Sequence, residues 1–121
     1  MTLKTLLIAM IIVESGGNKD AVGDNGKSFG CLQMTKAYVE DAAKHADEGW
    51  VHRDAFDMNT AFKIFNAYID KYATEDRIGR PVTPEDIARI HNGGPNGWKK
   101  KSTEKYWERV KEVIKANKKN D

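Results

Sequence analysis

The sequence predicts a mainly α fold of the α+β class, several helices with one small β-hairpin, in a single domain over residues 1–121. Two observations predict it. Apolar side chains recur at spacings of three and four in several separate stretches, the mark of helices that bury one face. One segment, residues 18–34, gathers enough turn-forming residues to fold a strand pair back on itself. The 121 residues, 40% hydrophobic and 31% charged, suit one small core and leave no room for a second. No internal repeat, low-complexity tract or linker interrupts them.

The first helix runs from a Thr2 cap through Leu3, Leu6, Leu7, Met10 and Ile11 and stops at Gly16-Gly17, where the chain is free to leave in a left-handed conformation. Lys4 before the apolar run Leu6 to Val13 has the outline of a secretory signal. The following Glu14-Ser15-Gly16-Gly17-Asn18 lacks a small-x-small cleavage pattern, and the run is far shorter than the ~18 residues of a membrane span. We therefore read a buried helix that stays in the mature chain, with no membrane span. Asp24-Asn25-Gly26 marks the hairpin turn, between Ala21-Val22 and Phe29-Leu32. A second helix begins at Thr35 and carries Tyr38, Val39 and Ala42 inward. A third begins near Asp57, with Ala61, Phe62, Phe65, Tyr68, Ile69 and Tyr72 on one face. Thr83-Pro84-Glu85-Asp86 supplies a cap, a first-turn proline and first-turn acids, opening a short helix through Ile87 and Ile90 that Asn92-Gly93-Gly94-Pro95 ends. The last helix starts at Ser102 or Thr103 and buries Tyr106, Trp107, Val110, Val113 and Ile114, its lysines facing out.

The formal net charge is +2, too small for a protein that coats polyanions along its whole surface. The basic character is concentrated from Trp98 to Asp121, where nine Lys or Arg accompany four acids. This C-terminal stretch is expected to draw the protein to an anionic cell envelope. Without aromatic and basic residues interleaved, or a recognised motif, it does not make a nucleic-acid binder. A single cysteine, Cys31, excludes an internal disulfide and a multi-cysteine zinc site, and His45 and His52 fall at no metal-ligand spacing. No metal or cofactor is expected, and the chain is read as a monomer.

Glycoside hydrolysis needs a carboxylic acid that stays protonated near neutral pH, and an apolar wall at a helix C-terminus favours the neutral form. Glu14 stands in such a position, although taken alone a glutamate at a helix end more often points to solvent. Ser15 and Ser28 are placed to hydrogen-bond the Glu14 or Asp24 carboxylate. Gln33 and Asn92 carry amides suited to a sugar N-acetyl or hydroxyl group. Gly93 and Gly94 would let backbone approach a sugar ring, His91 would contact substrate or support Asn92, and Trp98 would offer a stacking face. With Tyr38 these residues make up the candidate substrate-binding set.

Glu14-Ser15-Gly16-Gly17-Asn18, then Gly23-Asp24-Asn25-Gly26, then Ser28-Phe29-Gly30-Cys31-Leu32-Gln33-Met34 resembles the catalytic region of the lysozyme-like superfamily. Ile87-Ala88-Arg89-Ile90-His91-Asn92-Gly93-Gly94-Pro95-Asn96-Gly97, followed by Ser102-Thr103, Tyr106-Trp107 and Val110, resembles the C-terminal half of invertebrate-type lysozymes, the destabilase family. Phe65 to Ala73 resembles that family's central helix, so the similarity spans roughly Ile12 to Val113.

The resemblance implies a lysozyme-like fold and cleavage of the β-1,4 bond between N-acetylmuramic acid and N-acetylglucosamine in peptidoglycan glycan strands. It makes Glu14 the general acid and Asp24 the second carboxylate, acting as nucleophile or cation stabiliser. The chain departs from the family in lacking its dense disulfides. That points to a bacterial or phage-type relative, working in the periplasm or outside the cell after release or export by other means. Two alternatives stay open: a lytic transglycosylase using Glu14 alone and forming 1,6-anhydro products, and a non-catalytic wall-binding module.

Overall fold

The computed structural model describes residues 1–119. The chain divides into two compact units, one formed by Glu14–Lys71 and the other by Met1–Val13 with the residues from Tyr72 onward. Helix α1 (Leu3–Ser15) supplies the start of both. Thr2 caps it, its hydroxyl accepting from the Thr5 N–H at 3.1 Å. Leu6, Ala9, Met10 and Ile11 are buried, while Leu3, expected to point inward, lies on the first turn beyond the packed stripe and stays exposed.

In the unit Glu14–Lys71, strand β1 (Val22–Gly23) pairs antiparallel with β2 (Ser28–Phe29), Val22 opposite Phe29 and Gly23 opposite Ser28. The second strand is shorter than the expected Phe29–Leu32. Gly30 (φ 83°) and Gln33 (φ 51°) turn the chain, and Met34 returns to exchange two 2.9 Å backbone hydrogen bonds with Phe29. Cys31 and Leu32 are consequently buried in a turn. Helix α2 (Lys36–Ala46) is capped by Thr35 and buries Tyr38, Val39, Ala42 and Ala43. A 3-10 turn, His52–Phe56, which no periodicity announces, leads to α3 (Met58–Tyr72). Asp57 caps α3, accepting from the Thr60 hydroxyl at 2.7 Å and the Thr60 N–H at 3.0 Å; these bonds hold its carboxyl below the usual range. Helices α2 and α3 meet through the stacked rings of Tyr38 and Tyr68, 3.8 Å apart, and the Lys71–Asp41 ion pair.

In the other unit, α4 (Glu75–Ile78) is a single capped turn absent from the sequence reading. Helix α5 (Pro84–Gly93) begins as expected, with Pro84 in its first turn and a reciprocal capping box between Thr83 and Asp86. Asp86 is 2% exposed and takes a two-pronged hydrogen bond from Arg80, at 2.7 and 2.9 Å. Burial pushes its carboxyl up. The bonds from Arg80 and Thr83 outweigh that effect and hold it below the ordinary value. Gly94 (φ 89°) ends the helix, its N–H bonding the Ile90 carbonyl. Ser102 and Thr103, expected to open the last helix, instead close a 3-10 turn (Lys101–Thr103), and α6 runs over Glu104–Lys119. It buries Tyr106, Trp107, Val110 and Ile114; Val113, expected inside, is only half-buried. Asn120 and Asp121, the end of the basic stretch, lie outside the described residues. Among the described residues no helix is long and apolar enough to cross a membrane.

Candidate active site

Glu14 sits half-buried on the last turn of α1, followed by Gly16 (φ 65°) and Gly17 (φ 88°), which only a left-handed exit can accommodate. Ser15 fixes that end. Its hydroxyl donates to the Cys31 carbonyl at 2.8 Å and accepts from the Gly17 N–H at 3.2 Å, so the helix terminus is tied to the turn after β2. The serine thereby anchors backbone on both sides of the glycine exit. Cys31 itself is fully buried, and that burial pushes its thiol pKa up, which keeps it protonated and unreactive.

Asp24 stands at the tip of the hairpin, with an exposed side chain on a left-handed backbone (φ 51°). The buried Ser28 hydroxyl, 1% exposed, donates to Asp24 Oδ2 at 2.6 Å. Ser28 thus meets the carboxylate across the hairpin and presents no open face to a sugar. Gln33 is also turned inward. Its Nε2 donates to the Gly30 carbonyl at 2.9 Å and the Ala21 carbonyl at 3.2 Å, so both amide hydrogens serve the hairpin rather than a ligand. Gly23 lies close beside it, where a Cβ would fall 2.2 Å from Gln33 Oε1. Tyr38, 8% exposed and stacked on Tyr68, packs the core between α2 and α3.

The remaining candidates lie in the other unit. His91 is buried on the last turn of α5, and Asn92 beside it is exposed. Gly93 leaves no spare space for a sugar ring on its Cβ side, since a Cβ there would stand 2.4 Å from Thr103 Cγ2. Sequence reasoning missed Arg89, which organises this glycine turn. Its guanidinium donates to Thr103 Oγ1 and the Lys100 carbonyl at 2.8 Å each and to Glu85 Oε2 at 2.6 Å. Lys100, read as part of a basic binding face, reaches back 2.7 Å to the Gly93 carbonyl. Trp98 is partly exposed, with the Lys99 ammonium 5.5 Å and the Arg80 guanidinium 5.9 Å from its ring centre. Among the described residues no group of three or more His, Cys, Asp or Glu is placed to hold a metal ion.

The two candidate carboxylates lie in the same unit. Glu14 is on a helix end pinned by Ser15, and Asp24 is on a hairpin tip pinned by Ser28. Residues 4–113 match the family model described as Destabilase. The chain is 36% identical over 117 residues to the invertebrate-type lysozyme of Ruditapes philippinarum, covering 93% of this chain and 82% of that protein. It is 37% identical over 83 residues to a lysozyme of Magallana gigas, covering 69% of this chain and 58% of that one. The crystal structure of Tapes japonica lysozyme superimposes with a TM-score of 0.75 at 34% identity, covering 93% and 89% of the two chains.

Proposed function

The chain belongs to the Destabilase family, and from that premise we propose that it is a muramidase in which Glu14 is the general acid and Asp24 the second carboxylate. Its class is that of its lysozyme relatives, a glycoside hydrolase acting on peptidoglycan. The substrate lies in the cell wall, so the enzyme works in the periplasm or outside the cell.

The observation that carries the assignment of Asp24 is its 2.6 Å hydrogen bond from buried Ser28 on a left-handed backbone. Backbone strain of this kind persists only where the surroundings impose it, and it gathers at functional sites. Ser28 holds Oδ2 and leaves Oδ1 to face an anomeric carbon. In the reaction, Glu14 protonates the glycosidic oxygen as the bond to the leaving sugar breaks. Asp24 stabilises the oxocarbenium-like centre, water adds, and Glu14 takes up the proton. The test is the turnover of folded Glu14→Gln and Asp24→Asn proteins on purified cell walls. Each is expected to lose at least ~100-fold in kcat, because an amide can neither donate the proton nor neutralise the cation. Wild-type clearing by Glu14→Gln would remove the enzyme reading in favour of a wall-binding module.

A further inference from the structure

We infer that His52 is a positioning residue for Asp24, acting through β2 and Ser28; the inference rests on the assignment of Asp24 as the second carboxylate. The His52 ring lies flat on Phe29, with centroids 3.6 Å apart and planes 7° from parallel, and Phe56 stacks on the same Phe29 at 4.6 Å. His52 Nε2 is 2.8 Å from the Met34 carbonyl. A carbonyl can only accept, so Nε2 carries a proton and donates. That same carbonyl accepts from the Phe29 N–H at 2.9 Å, so one oxygen joins His52 to the strand. Next along the chain, Gly30 lies so close to the turn that a Cβ would fall 2.0 Å from the Ala55 carbonyl.

The turn His52–Phe56 therefore grips Phe29, Gly30 and Met34 at once. Successive side chains of a strand point to opposite faces. Fixing the Phe29 ring on one face thus fixes Ser28 on the other, where its hydroxyl meets Asp24. Asp24 and Asn25, at φ 51° and 56° before Gly26 at 88°, form a tight tip that the paired strands close. A loosened His52 lets β2 rotate, which draws the Ser28 hydroxyl away from the carboxylate. A displacement of about 1 Å at a reacting group is enough to lower turnover by one to two orders of magnitude.

Two variants separate the contacts. His52→Phe keeps the ring on Phe29 and loses the donor to Met34, while His52→Gln keeps a donor and loses the stack; if one does not fold, the other decides. The measurement is kcat and KM on soluble, uncrosslinked peptidoglycan strands, with Ser28→Ala as the second arm of a double-mutant cycle. Each single variant is expected to lose about tenfold in kcat with KM within about twofold, and each double variant to be no slower than Ser28→Ala alone. Losses that multiply to about a hundredfold in the double variants, or a wild-type kcat beside a lowered melting temperature, would overturn the inference. A fully active Asp24→Asn protein would remove the Asp24 assignment and this inference together. An inactive Asp24→Asn beside wild-type-like His52 variants would remove this inference alone.

Discussion

Left-handed backbone at Asp24 and Asn25 costs on the order of 1 kcal/mol at each residue, and in this hairpin it is held by the Ser28 hydroxyl and the Gln33 amide. Gly93 is a residue of the opposite kind, whose backbone is helical and whose missing side chain matters for space. A methyl group there would meet Thr103 Cγ2 at 2.4 Å, and Thr103 has nowhere to go. Its hydroxyl is fixed by Arg89 and by the Gly97 and Lys100 carbonyls, at 2.7 and 2.9 Å for the last two. Gly93→Ala is expected to lower stability by about 1–3 kcal/mol through overpacking. Thr103→Ser in the same chain deletes the methyl, keeps the hydroxyl, and should return most of the loss. Thermal melts of the three proteins check this. A Gly93→Ala protein as stable as wild type would mean that packing does not require the glycine.

Among the elements, the start of α5 is the one whose stability should follow pH. Asp86 serves the Thr83 cap and the Arg80 pair while buried, and its carboxyl is held below the ordinary range. A carboxyl depressed on folding stabilises the protein above its unfolded value, near 3.9, and that contribution is lost as pH falls through the lower folded value. Asp86→Asn should therefore cost about 2–3 kcal/mol at pH 7, less than a fully buried pair because Arg80 remains 48% exposed. The gap in melting temperature between the two proteins should narrow below about pH 4. A gap of constant size down to pH 2.5 would contradict this account of the cap. The helices with strong local signals, α2, α3 and α5, were legible because caps and apolar spacing are properties of neighbouring residues. The turn His52–Phe56 and the single turn α4 were not, since neither is long enough for a period to develop. Their form depends on partners far along the chain, such as Gly30 against Ala55. The same division holds in the site. A bond from Ser28 to the Glu14 or Asp24 carboxylate was among the expectations and is found on Asp24, whereas the inward turn of Gln33 could not be read, because it depends on two carbonyls that only the folded hairpin brings within reach.

At the scale of the whole molecule, a chain with one cysteine, Cys31, must hold its site by packing and hydrogen bonds in place of crosslinks. The two carboxylates accordingly rest on serines. Ser15 ties the end of α1 to the Cys31 carbonyl, and Ser28 ties the hairpin tip to β2. Under the proposed roles, Asp24 facing the cation lets water complete the reaction, whereas Glu14 acting alone would let the muramic acid's own hydroxyl close on the anomeric carbon. Mass spectrometry of the soluble products released from purified peptidoglycan by the intact protein separates the two. Muropeptides with free reducing ends are expected. Products dominated by 1,6-anhydromuramic acid would contradict the proposed roles.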